Sequence, residues 1–241
     1  MVSIRQSMIY QNNAYTKYRQ MKPEFLILHS TGDAVPQAVN HVRYYNSAKV
    51  SESVHAFIDG NSGEVWQTLP WFIQGGHAGG SINRNSIGVE MCEPADMKYG
   101  KGGRLVSFDR DACIPVIERT YRVAVELFAM LCCEYGLSAS RIYGHGELKA
   151  AGLADTTHVD PMHLWEQLSL PFTMDSFRKE VAEMMINEPI YQKLSDVPEA
   201  YKPTIEKLLN MGIIYGNANG LDLTRSMCRV LVYNDRAGLY G

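Results

Sequence analysis

The sequence predicts an α/β fold: a mixed central β-sheet flanked by helices, followed by a small C-terminal helical module. Three observations carry this reading. Short apolar runs that end near a histidine, FLILH (25–29) and RIYGH (141–145), read as buried strands. Residues alternate between apolar and polar on both sides of Asp59, Gly60 and Asn61, the pattern of two antiparallel strands joined by a tight turn. From Asp111 to Tyr135, apolar residues return at helical spacing, and Gly136 supplies a stop.

Taken in order, Phe25 to His29 follows Pro23 and is expected as a strand. Pro36 to Tyr45 carries helical spacing in Val39, Val42 and Tyr45, with His41 expected at the surface or in packing. The hairpin SVHAFIDGNSGEVWQTLP comes next, then the loop WFIQGGHAGGSINRNS, whose glycines bracket His77. A histidine between two glycine pairs is oddly placed for a core residue, so His77 and the neighbouring Asn83 are candidate substrate contacts. Ser86 to Glu93 reads as another strand with Glu90 at its exit, and Met97 to Arg104 as a polar loop without a chemical motif. Val116, Ala124, Leu127, Phe128 and Leu131 mark a long core-packing helix, and Arg141 to Tyr143 a short strand leading to His145.

Composition narrows the function. The chain has 241 residues, 46% hydrophobic and 20% charged, enough for one well-buried domain and a small second one. A formal charge of −3 gives no electrostatic reason to expect nucleic acid. The polar, tyrosine-rich start lacks the apolar core of a secretory signal, and no run approaches the roughly 18 apolar residues of a membrane span. The expectation is a protein made in the cytoplasm, with no membrane partner. Five cysteines, Cys92, Cys113, Cys132, Cys133 and Cys228, sit mostly in apolar runs and read as buried thiols.

The chemistry is carried by separated polar residues. His29 in FLILHSTG, His145 in IYGHGE and Asp160 in HVDP offer two imidazoles and a carboxylate. Such a set can hold one zinc ion and leave a position open for water. Glu90 in NSIGVEMCE is then a candidate proton carrier.

HSTG, SVHAFID with EVWQTLP, GGHAGG, NSIGVE and a late histidine followed by DP occur here in one order. In that order they resemble the zinc-dependent N-acetylmuramoyl-L-alanine amidases of the phage lysozyme and peptidoglycan-recognition-protein type. The likeness covers about residues 1–185 and extends, through KPEFLILHSTG, AGLADTTHVDPMHLW and MDSFRKEV, to endolysins of clostridia and their phages. It implies the peptidoglycan-recognition-type amidase fold, Zn2+ on His29, His145 and Asp160, and Glu90 as the proton shuttle. It also implies hydrolysis of the bond between N-acetylmuramic acid and L-alanine. His158 stands where many relatives carry an oxyanion-stabilising lysine; an imidazole can donate the same hydrogen bond or compete with Asp160 for metal. Val54 replaces a tyrosine that some relatives use, and the adjacent His55 is expected to line or support the site. His163 is expected in packing or behind the ligands. Relatives lacking a zinc ligand bind muropeptide without cutting it, and others cut soluble muropeptides during wall recycling.

After about Glu188 the pattern changes. Leu194, Val197, Ile205, Leu208, Leu209, Ile213 and Ile214 form an apolar set, with helices expected from Ala200 to Met211 and from Thr224, as cap, to about Tyr233. The division expected is therefore 1–185 and 186–241. Through DVP, KLLNMGIIYG and LTRSMCRVL the second part resembles a single surface-layer-homology module. Such modules normally occur as three copies that bind cell-wall polymers, and one this small does not easily stabilise itself, so the expectation is docking on the catalytic domain, pairing into a homodimer, or weak binding to a secondary cell-wall polymer. Together the resemblances imply bacterial peptidoglycan as partner and action on the wall after release at lysis.

Overall fold

The computed structural model describes residues 2–186 and 190–241; the expected change of character at about Glu188 lies outside them. By compactness the chain divides into Met1–Met184 and Met185–Gly241.

The first unit is built on a six-stranded mixed sheet. Its strands are β1 (Ile4–Gln6), β2 (Phe25–Ser30), β3 (Ala56–Ile58), β4 (Val65–Gln67), β5 (Ser86–Met91) and the later β8 (Ile142–Gly144), in the order β1-β4-β3-β5-β2-β8. β2 runs parallel to both β5 and β8, and the hairpin β3–β4 is the antiparallel pair. The central strands are covered on both faces, which is why FLILHS and SIGVEM read as nearly unbroken apolar runs. Their parallel register places His29 directly beside Glu90.

Helices complete the layers. α1 (Asn13–Lys17) is capped by Asn12, and α2 (Ala38–Tyr45) packs against β3 and β4. α2 buries His41, stacked on Phe57 at 5.1 Å, and this is the packing role expected for that residue. The long α3 (Arg110–Tyr135) starts where the Asp109 carboxylate accepts the N–H groups of Asp111 and Ala112, and ends at Gly136 with φ 66°. It packs across β3 and β5. Its buried stripe includes Ile117, Tyr121, Ala124, Leu127, Phe128 and Leu131, each large side chain contributing about 1.5–3 kcal/mol on burial. α4 (Met162–Gln167) and α5 (Met174–Ile186) close the unit. Tyr121 meets Trp165 and Phe177 edge-on at 5.6 and 5.5 Å, and Phe128 meets Phe177 at 5.3 Å, so aromatic contacts tie both helices to α3. None of the five cysteines is in a disulfide.

One expectation is corrected. Residues 97–104 do not form a featureless loop: β6 (Met97–Tyr99) pairs antiparallel with β7 (Leu105–Phe108). Three-residue strands are too short for alternation to register, and the glycines between them dominate the local composition. The same brevity hid β1 and α1.

The second unit holds β9 (Ile190–Tyr191), α6 (Lys202–Asn210), β10 (Leu223–Thr224) and α7 (Arg225–Arg236), with β10 antiparallel to β9. Tyr191, Val197, Ile205, Leu223 and Cys228 form its core. Thr224 caps α7 as expected, its hydroxyl accepting from the N–H of Met227 at 3.2 Å. Ile213, expected in the apolar set, is exposed.

Candidate metal centre and active-site cleft

His29 leaves β2 near its C-terminal end, on the same face as Ile27, which packs with Ala78, Ile82 and Leu148. His145 follows the C-terminal end of β8, and Asp160 lies just before α4. The three side chains are buried and converge. His29 Nδ1 lies 3.1 Å from His145 Nδ1 and 3.3 Å from Asp160 Oδ2, and His145 Nδ1 lies 3.2 Å from Asp160 Oδ1. Metal bonds of about 2.05 Å in a tetrahedron separate donor atoms by about 3.3 Å, so these spacings suit one small cation.

Contacts on the outer nitrogens orient the imidazoles. His77 Nε2 lies 3.3 Å from both the carbonyl oxygen and the hydroxyl of Ser86. His77 Nδ1 in turn lies 3.0 Å from His29 Nε2. This turns His29 Nδ1 into the cluster. His145 Nε2 meets Thr156 Oγ1 at 3.2 Å, which likewise turns its Nδ1 inward. Orienting metal-ligating imidazoles through their outer nitrogen is how such donor sets are held.

Charges agree with this layout. Burial would raise the Asp160 carboxyl, but the imidazoles of His145, His158 and His29 around it hold it well below the usual carboxylate range. Burial pushes His29 down, keeping it neutral. Burial also raises Glu90 well above its ordinary value, reinforced by the negative charges of Asp160, Glu93 and Asp33. Its Oε2 is sealed from solvent without a partner. Glu90 as a whole is half-buried and lines the cleft beside the cluster.

The cluster forms the floor of an open cleft of about 970 Å³, lined by His29, Glu90, His145, His158 and Asp160 among others. His158 is exposed, stacks on His145 with ring centroids 4.3 Å apart, and places Nδ1 3.5 Å from Asp160 Oδ1. It stands above the metal-ready set, while Asp160 lies within it.

The loop residues sit differently from expectation. His77 lines the cleft, yet both of its nitrogens are engaged by His29 and Ser86. Asn83 Oδ1 accepts the N–H groups of His77 and Ala78 at 3.2 and 2.9 Å, holding the glycine loop instead of facing the cleft. A Cβ at Gly88 would lie 2.5 Å from the His77 ring, so only glycine on β5 admits that ring.

His55 is fully buried. The N–H of Gly88 donates to its Nδ1 at 3.0 Å, and its Nε2–H donates to the Ile73 carbonyl at 2.7 Å. No ring atom is left for substrate, so it supports β5 and the loop. Burial holds it down to about 4. A histidine depressed in the folded state binds fewer protons there than when unfolded, so its stabilisation is present above about pH 6.5 and is lost as pH falls through 4. His55→Phe is expected to orphan two backbone groups, cost about 2–4 kcal/mol at pH 7 and flatten the acid limb of stability. Urea midpoints at pH 7 and 5 check this; an unchanged acid limb would count against it.

Sequence reading missed Glu93 and Tyr99. Glu93 is buried, which pushes it up to about 7, and its Oε2 accepts from the Tyr99 hydroxyl at 2.6 Å. That hydroxyl also lies 3.4 Å from Nε2 of His163, a cleft-lining residue. The signal was a second carboxylate three residues after Glu90, but its partner sits on β6, a strand that could not be foreseen.

Comparison with known proteins decides the family. Residues 19–163 match the family model described as N-acetylmuramoyl-L-alanine amidase (Amidase_2). The chain belongs to this amidase family. Among relatives of this amidase-family chain, N-acetylmuramoyl-L-alanine amidase CwlH of Bacillus subtilis (strain 168) is 33% identical over 107 residues, 42% of this chain and 42% of that protein. XlyA, an N-acetylmuramoyl-L-alanine amidase of the same organism, is 37% identical over 86 residues, 34% of this chain and 28% of that protein. The match thus spans less than half the length of these curated relatives. A mutant endolysin from Bacillus subtilis has 28% identity and a TM-score of 0.54, over 75% of this chain and 99% of that one. The catalytic domain of XlyA gives 27% and 0.54 over the same shares. The mixed sheet with flanking helices is the fold expected from the sequence. Among the described residues, no helix is long and apolar enough to cross a membrane.

Proposed function

We propose that this chain is a zinc-dependent peptidoglycan hydrolase cleaving the amide between N-acetylmuramic acid and L-alanine. The observation that carries this is the convergence of His29, His145 and Asp160 beneath an open cleft that Glu90 also lines, in a chain of the amidase family. A bound zinc ion polarises a carbonyl and lowers the pKa of water toward neutrality. Glu90 takes a proton from the attacking water as oxygen adds to the carbonyl carbon, then delivers it to the departing nitrogen as the C–N bond breaks. His158, exposed beside the cluster, donates a hydrogen bond to the developing oxyanion. His77, Asn83 and His55 hold the floor of the cleft.

The substrate in this reading is polymeric bacterial wall, reached after release at lysis as by an endolysin. Residues 186–241, with their likeness to a surface-layer-homology module, serve attachment to a secondary wall polymer. Digestion of clostridial-type walls and of soluble muropeptides, with zinc content and mass spectrometry of products, tests this. Near-stoichiometric zinc and newly freed L-alanine amino groups from walls are expected. Wall binding without metal or cleavage would make the chain a recognition protein. Cleavage confined to soluble fragments would make it a recycling amidase.

A further inference from the structure

Resting on the zinc reading above, we propose that Arg178, on a helix outside the family-matched segment, is a positioning residue for His145, acting through Glu147. His145 opens a single 3-10 turn, His145–Glu147, too short to fix its own geometry. Its shape is imposed from outside. The Glu147 carboxylate folds back to accept the Gly144 N–H at 2.9 Å through Oε2. The same carboxylate receives Arg178 from both amino groups, Nη1 to Oε2 at 2.9 Å and Nη2 to Oε1 at 3.0 Å. Nη1 also donates to the Ile142 carbonyl at 3.1 Å. One guanidinium therefore brackets His145, holding the strand before it and the turn after it.

The other side of the turn is held just as closely. The N–H of Gly146 donates to the Asp160 carbonyl at 3.1 Å, tying the His145 turn to the backbone of the neighbouring carboxylate. A Cβ at Gly144 would lie 2.7 Å from Met162 Sδ and 3.1 Å from Met174 Sδ, and one at Gly146 would lie 2.8 Å from Met162 Cε. The turn sits in a slot between α4 and α5, with the Arg178 fork at its back.

Arg178 is well mounted for this task. Its neighbours Phe177 and Val181 on α5 are fully buried, so the guanidinium comes from an anchored helix. The side chains of Arg178 and Glu147 are only 22% and 28% exposed, and the pairing is bidentate, a stronger and more directional contact than an open surface ion pair. Asp175 adds a further contact to Nη2 at 2.7 Å from an exposed position. Metal donors tolerate little displacement, and loss of groups that orient them typically weakens binding 10- to 100-fold.

The test is zinc affinity of the full chain by competition with a chromophoric chelator, for wild type, Arg178→Met, Arg178→Lys and Glu147→Gln. Arg178→Met is expected to bind zinc roughly 10- to 100-fold more weakly, with Arg178→Lys between it and wild type because a single ammonium cannot fork. Glu147→Gln, which keeps an oxygen for Gly144, is expected to weaken zinc less than Arg178→Met and decides the matter should that variant not fold. Urea midpoints of the zinc-free proteins separate positioning from general stability. Folded variants that lose stability but bind zinc as tightly as wild type would overturn the proposal. A wild-type chain that takes up no zinc overturns the metal reading and this proposal with it. Zinc bound normally without wall cleavage would overturn only the amidase reading.

Discussion

His29→Ala is expected to lose zinc and, with it, activity. The ring supplies one of three converging donors, and its outer nitrogen is held against His77, which in turn rests on Ser86. Removing an outer partner of such a ligand already costs on the order of 10- to 100-fold in affinity, so deleting the donor itself costs more. It also leaves His145 and Asp160 as two neighbours with no third arm. A ligand that binds only the folded state stabilises it by about 2.7 kcal/mol at 100 times its Kd. Wild type should therefore melt at a higher temperature with zinc than with chelator, and His29→Ala should show no such difference. Zinc at one per chain in His29→Ala would remove it from the ligand set. His145→Ala is expected to behave alike.

Glu90→Gln is expected to keep zinc and lose turnover by roughly 10²- to 10⁴-fold, the range of a positioned proton-transfer group. The amide has nearly the shape of the carboxyl but cannot take a proton from water. A second consequence follows from burial. The Glu90 carboxyl is raised in the folded state, so that state binds more protons than the unfolded one above about pH 4.3, and stability falls as pH rises through that window. Glutamine carries no such penalty. Zinc-free Glu90→Gln should then be at least as stable as zinc-free wild type at pH 7, while its kcat collapses and its zinc content does not. Loss of zinc in this variant would make Glu90 a ligand or a structural support, and unchanged kcat would end its proton role.

Much of the molecule was legible in the sequence, for identifiable reasons. Period and punctuation are local, so FLILHS, the hairpin around Asp59 and the helix ending at Gly136 announced themselves within one window each. The positions of His29, Glu90, His145 and Asp160 at the ends of apolar runs were equally local, and ordered motifs made the family readable. Short elements were not. β1, α1 and the β6–β7 pair are three to five residues each, below the length at which a pattern differs from chance.

What the tertiary structure alone decided is how polar residues divide the work. A histidine between glycines looks the same in sequence whether it touches substrate or orients another imidazole. Only the register of β2 against β5, and the absence of a side chain at Gly88, turn His77 toward His29. His55 and His158 are indistinguishable as residue types, yet one is sealed between Gly88 and Ile73 and the other is exposed beside Asp160. Arg178 reads as an ordinary helical charge until α5 docks through Phe177 and brings it to Glu147. The sequence by itself determined the fold class and the family, because these depend on residue type and short-range pattern. Partnership across 30 to 130 residues depends on packing, which no local window contains.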